Sequence, residues 1–113
     1  MSQMRENPVA KRRFRRRTVR VLVDYTVSGD VRCEYATTLG AGGMFIETET
    51  PLPTGAQIKV RFRLPSAGTV HEIEGRIVWV QAAEHGELRR APGMGIEFTD
   101  AVATATLARS LEK

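Results

Sequence analysis

The chain has 113 residues, 17 Lys and Arg against 13 Asp and Glu, and 42% hydrophobic residues. That length fits one small domain with a modest core and excludes a multi-domain enzyme with a deep enclosed active site. Charge is unevenly spread: residues 1–20 hold eight basic residues and one acid, a net +7, and the other nine basic and twelve acidic residues leave the rest at −3. A mildly acidic body with a strongly basic N-terminal arm points to an anionic partner, whether nucleic acid, nucleotide or membrane surface.

Residues 1–10 are polar and lack an apolar period, which predicts a flexible tail. Lys11 to Arg17 reads KRRFRRR, six basic residues in seven around Phe14. Charges this dense repel one another, so the arm is expected to be mobile until an anion binds. From Thr18 the period becomes two, with Val19, Val21, Val23 and Tyr25 on the core face of a strand. Ser28-Gly29-Asp30 is a turn signal, and Val31 to Thr38 is its hairpin partner. Leu39-Gly40-Ala41-Gly42-Gly43 reads as a glycine-rich loop, and Met44 to Thr48 as a strand that stops at the Pro51–Gly55 loop.

Gln57 to Leu64 alternates with Ile58, Val60, Phe62 and Leu64 inward, and ends at the Pro65–Gly68 turn. Val70 to Gln81 is a long strand with Ile73, Gly75, Ile77 and Trp79 on one face and Val78 and Val80 on the other. Ala82 to Pro92 is a polar loop containing Arg89 and Arg90, and Gly93 to Phe98 is a last short strand. Thr99 is the expected N-cap, with Asp100 beside the positive helix end. Ala103, Leu107 and Leu111, spaced by four, form the apolar stripe of a helix over Ala101–Leu111. Six strands separated by turns and followed by one helix predict an all-β fold, a six-stranded antiparallel barrel with a C-terminal helix packed on it. Closing the sheet removes edges that would otherwise template aggregation.

An enzyme is not expected. Acid–base or nucleophilic catalysis needs titratable groups gathered at one place, and here the acids are scattered. His71 and His85 lie among polar neighbours and read as solvated surface histidines. Cys33 is the single cysteine, so it forms no internal disulfide and no CxxC metal pair. It reads as a structural thiol in mid-strand. No apolar run approaches the roughly 20 residues that cross a bilayer, and the basic arm is followed by no signal-peptide h-region, so the expected location is the cytoplasm.

The arginine cluster and the glycines carry the functional signal. Arginine matches a phosphate with a planar fork of donors and stacks on bases. Glycines let backbone approach a ligand and turn amides toward an anion, although a tight strand connection needing positive φ uses the same residues.

Arg12-Arg13-Phe14-Arg15-Arg16, then Val19-Arg20-Val21 and Tyr25, resembles the opening of a PilZ domain. That family carries an RxxxR motif before its first strand, and Arg12 and Arg16 occupy the arginine positions. Thr38-Leu39-Gly40-Ala41-Gly42-Gly43-Met44-Phe45-Ile46 is similar to its second motif, [D/N]xSxxG and an apolar strand. Pro51–Gly55, Gly75-Arg76-Ile77-Val78-Trp79-Val80 and Gly93-Met94-Gly95-Ile96-Glu97-Phe98 extend the resemblance over residues 11–111, with arm 11–17, barrel 18–98 and helix 100–111. It implies the same barrel and helix, and a receptor for the bacterial messenger cyclic di-GMP that acts on motility or exopolysaccharide production. Arg12 and Arg16 would grip phosphates and stack on guanine, Thr38, Gly40 and Gly43 would receive a guanine edge, and Arg13 and Arg17 would be auxiliaries. No cofactor is implied.

Two positions depart from the family motif: Thr38 stands for Asp or Asn, and Gly40 for Ser. Each hydrogen bond so lost costs on the order of 0.5–1.5 kcal/mol. Three functions follow. The chain is a cyclic di-GMP receptor that signals to a partner protein, or a divergent adaptor that binds protein without nucleotide. The third is a nucleic-acid-binding barrel stacking bases on Phe14, Tyr25, Tyr35 and Trp79. That one ranks last, because the positive charge is confined to the arm rather than spread along a groove.

Overall fold

A computed structural model of the chain describes residues 17–64, 68–84 and 90–112. Its strands are β1 (Arg17–Val27), β2 (Asp30–Gly40), β3 (Gly43–Glu47), β4 (Gln57–Arg63), β5 (Val70–Gln81) and β6 (Gly93–Phe98), followed by the helix α1 (Ala101–Leu111). The sheet closes into an antiparallel barrel in the order β1-β2-β3-β6-β5-β4. The predicted tail 1–10 and the arm through Arg16 lie outside the described residues, as does His85.

Period-two patterning dictates the barrel. On β1, Val21, Val23 and Tyr25 are buried between exposed neighbours, and on β4 Ile58, Val60 and Phe62 do the same. The barrel closes where Val23 pairs with Phe62 and Tyr25 with Val60. Leu39, Met44, Ile46, Ile73, Ile77, Met94 and Ile96 complete the core. Each such side chain contributes roughly 1.5–3 kcal/mol on full burial. The β1–β2 turn is two residues long, Ser28 and Gly29, with φ of 52° and 86°. This mirror-image turn matches the right-handed twist of the strands it joins.

Two local expectations change. The helix N-cap is Asp100, not Thr99: the Asp100 carboxylate accepts from the Ala103 amide at 3.1 Å. Thr99 instead donates its amide to the Glu74 carbonyl at 2.9 Å, tying the helix start to β5. From there the predicted stripe packs on the barrel, with Leu107 fully buried and Ala103 and Leu111 against the core.

The second change is His71. It is buried at 4% exposure, stacked on Phe62 with centroids 5.5 Å apart, and its Nε2 has no hydrogen-bond partner among the described residues. The charged neighbours that suggested a surface residue are at Glu72 and beyond, on the opposite face of the alternating strand. Burial pulls the imidazole pKa below 6.5, so the fold holds it neutral while the unfolded chain takes up the proton more readily. Stability from this residue is therefore complete above pH 6.5 and lost as pH falls below it. In urea titrations across pH, His71→Leu should gain on the wild type progressively below pH 6.5, by at most about 1.4 kcal/mol per pH unit. A difference independent of pH would show that the histidine is not held neutral.

Tyr25 does not offer a stacking face. It is 2% exposed, and its hydroxyl donates to Glu34, which also accepts from Thr48 Oγ1 at 2.9 Å. Burial and the Glu34 carboxylate push the phenol pKa up and keep that proton in place. Arg32 donates to the carbonyl and the hydroxyl of Thr50, both at 2.9 Å. These side chains satisfy one another at the barrel end away from Arg17. Cys33 is exposed, and hydrogen bonding to the Asp24 carboxylate raises its pKa, which disfavours the reactive thiolate.

Candidate functional site

The site is built on the outer face where β1 begins. The predicted glycine loop proves shorter than its sequence: β2 runs through Gly40 and β3 starts at Gly43, leaving only Ala41 and Gly42 between them. Gly40 and Gly43 pair across this turn. None of its glycines has positive φ; the positive-φ glycines among the described residues are Gly29, Gly55 and Gly68. What the turn needs is proximity. A Cβ on Gly43 would lie 2.1 Å from the Ile96 carbonyl oxygen, and Gly42 accepts from the Phe98 amide at 2.9 Å. The turn is thus drawn hard against β6.

Register aligns the candidate residues. Thr18 pairs with Thr38, Thr38 with Phe45, Phe45 with Gly95, and Gly95 with Trp79. Directly paired residues share a face, so these five form one row across five strands. A second row, Gly40, Gly43, Glu97 and Arg76, starts two residues along at Gly40, about 7 Å away. Arg76 and Glu97 form an exposed ion pair at 3.0 Å. Thr38 is half-buried, and its Oγ1 makes no hydrogen bond among the described residues.

Strict alternation puts Trp79 on the same face of the strand as Ile77. The structure inserts a bulge between them: Ile77 pairs with Ile96 and Trp79 with Gly95, so Val78 is an extra residue and the phase reverses. Trp79 is consequently outside, 39% exposed, with its ring stacked on Phe45 at 5.1 Å and 18°. Phe45, inside an apolar run, carried no outward signal of its own. The closing Gly93-Met94-Gly95 run was the readable sign that something flat lies against this sheet.

Arg17 occupies the alternate side of β1, paired with core residue Leu39, and its guanidinium donates to the Leu111 carbonyl at the end of α1. The negative end of a helix favours a cation there. Arg20 lies 4.0 Å over the Tyr35 ring, which covers the Tyr35 face offered for base stacking. Arg12, Arg13 and Arg16 lie outside the described residues. Among the described residues no three His, Cys, Asp or Glu side chains gather, and no helix is long and apolar enough to cross a membrane.

The chain is thus a small closed antiparallel barrel with a C-terminal helix packed on it. The chain belongs to the PilZ domain family, whose model matches residues 10–113. This is a family of cyclic di-GMP receptor and adaptor domains rather than enzymes. No curated protein matches the sequence. Among solved structures, the fold is similar to the Bacillus subtilis inhibitor of motility MotI/DgrA, with TM-score 0.71 and 17% identity over 91% of this chain. The chain spans about half of that protein, 52%. It is also similar to the PilZ domain of Escherichia coli YcgR, solved with c-di-GMP, at TM-score 0.67 and 15% identity, covering 88% of this chain and 87% of that one. The PilZ domain of CeSA from a cellulose-synthesizing bacterium gives TM-score 0.61 and 19% identity, covering 88% and 99%.

Proposed function

We propose that the chain is a cyclic di-GMP receptor that relays the messenger to a partner protein in the bacterial cytoplasm. The observation that carries this reading is the row Thr18–Thr38–Phe45–Gly95–Trp79, which begins one residue after the arginine cluster and holds the Thr38 hydroxyl, unpartnered among the described residues. Arg12 and Arg16 hold the phosphates and stack on guanine, with Arg13 as an auxiliary. Thr38, Gly40 and Gly43 take a guanine edge. Trp79 supplies a second stacking surface for a base. Arg17 anchors the root of the arm to α1. Engagement of the arm with the ligand is the signal, since it changes the surface that a partner protein meets. The similar chains include an inhibitor of motility and a PilZ domain from a cellulose-synthesizing bacterium, so motility or exopolysaccharide production is the output this reading favours.

Restoring the family side chains tests the guanine-edge assignment. Thr38→Asp with Gly40→Ser adds a charged acceptor and a hydroxyl where this chain has one hydroxyl. Calorimetry should show cyclic di-GMP binding about 30- to 150-fold tighter than wild type, from two added hydrogen bonds of roughly 1–1.5 kcal/mol each. Unchanged or weaker binding would place the guanine edge elsewhere.

Thr38 and Gly40 also favour a second reading, an adaptor that contacts protein without nucleotide. It requires a partner set indifferent to both cyclic di-GMP and Arg16→Ala. Partners recovered only with ligand would count against it.

A further inference from the structure

The shelf formed by Phe45 and Trp79 depends on residues that touch no ligand. Trp79 is the single tryptophan, turned outward by the bulge at Val78. Its indole lies over Gly95 so closely that a Cβ there would sit 2.1 Å from Nε1, 2.4 Å from Cε2 and 2.7 Å from Cδ1. All three nearest atoms belong to the indole, so the ring is what a side chain there would meet first. Phe45 lies over Gly93 two residues along: a Cβ there would sit 2.3 Å from Phe45 Cζ and 2.4 Å from the Ile46 carbonyl oxygen. Gly93 and Gly95 share the outer face of β6, each beneath one aromatic ring, and the two rings stack with centroids 5.1 Å and planes 18° apart.

We propose that Gly95, together with Phe45, is a positioning residue that lays Trp79 flat on the barrel and so sets the plane on which a base of the ligand stacks. This rests on the cyclic di-GMP reading for the identity of the base, while the seat itself is a property of the free protein. The chemistry is steric. A flat indole presents its π face to the ligand and its other face to Gly95, and Phe45 blocks rotation on one side. With a methyl at position 95 the indole must swing away, and the exposed face no longer lies parallel to the sheet. Aromatic stacking on a base is sequence-tolerant and strongly dependent on that plane.

The test uses the full chain with Gly95→Ala, Trp79→Ala and the double variant. Trp79 fluorescence reads the seat without ligand: Gly95→Ala should shift emission to longer wavelength and raise acrylamide quenching. Calorimetry with cyclic di-GMP should show about tenfold weaker binding for Gly95→Ala and for Trp79→Ala, with no further loss in the double variant. If Gly95→Ala fails to fold, the double variant should fold, because removing the indole vacates the space the methyl needs. Unchanged emission and quenching in a folded Gly95→Ala overturns the seat. So does a double variant that stays unfolded, or one whose affinity losses simply add. If the wild type binds no cyclic di-GMP, the ligand role of the shelf fails with the receptor reading, and the fluorescence and folding arms decide the seat alone.

Discussion

Arg16→Ala, and separately Arg12→Ala, should lower cyclic di-GMP affinity about 100-fold or more while leaving the melting temperature unchanged. An arginine held bidentately on a phosphate makes two charge-assisted bonds of roughly 1.5–3 kcal/mol each, and every 1.4 kcal/mol is about tenfold in affinity. Lysine is a poor substitute, because its compact ammonium has neither the planar fork nor the flat face that stacks on guanine. Arg16→Lys should therefore recover only part of the binding. Arg15→Ala, one residue off the RxxxR spacing, is the control. If Arg15→Ala and Arg16→Ala weaken binding equally, the arm acts as diffuse positive charge and the spacing carries no meaning. Steep salt dependence shared by all these variants would point the same way.

Gly43→Ala should be the most damaging single change to the barrel near the site. The added Cβ would meet the Ile96 carbonyl oxygen at 2.1 Å, and the carbonyl carbon at 3.2 Å. Backbone cannot rotate aside as a side-chain tip can, so β3 must move off β6 and strain the pairs from Gly43–Glu97 to Met44–Ile96. Overpacking of this kind costs about 3 kcal/mol. For a domain this small that is a fall of roughly 12–20 °C in Tm, measured by thermal circular dichroism. Gly29→Ala is the comparison, since nothing lies within 4 Å of its Cβ and only its φ of 86° is unfavourable. It should cost about 1 kcal/mol. Equal losses at the two positions would mean that β6 yields to the methyl group and that its close approach does not explain Gly43.

The barrel was legible because its strands are half-buried and its turns are short. Val21, Val23 and Tyr25 on β1, and Ile58, Val60 and Phe62 on β4, announce their face by alternation alone. Where alternation breaks, sequence reading went astray for physical reasons. A bulge adds one residue without leaving a mark in hydropathy, so period two alone puts Trp79 on the face of Ile77. His71 has the polarity of a surface residue, yet it stands in the inward phase of β5, two residues before Ile73. Phase was the better guide there than residue type. Thr99 and Asp100 are both good cap residues, and only the competing bond from Thr99 to Glu74 decides between them.

The candidate site was legible in part. The glycines around Ala41 and the position of Thr38 stood out by motif, but their function as a close approach to β6 depends on a strand more than fifty residues away. Arg17 belonged to the same basic run as its neighbours, and only the placement of α1 reveals its bond to Leu111. The uneven charge of the chain keeps its meaning throughout: the basic arm meets the described barrel at the end of β1 where the outer row begins.

Calorimetric titration of the full chain with cyclic di-GMP tests the account most directly. The account predicts saturable heat at micromolar ligand, abolished in Arg16→Ala. An absence of heat at high micromolar ligand, from protein shown to be folded by circular dichroism, would contradict it.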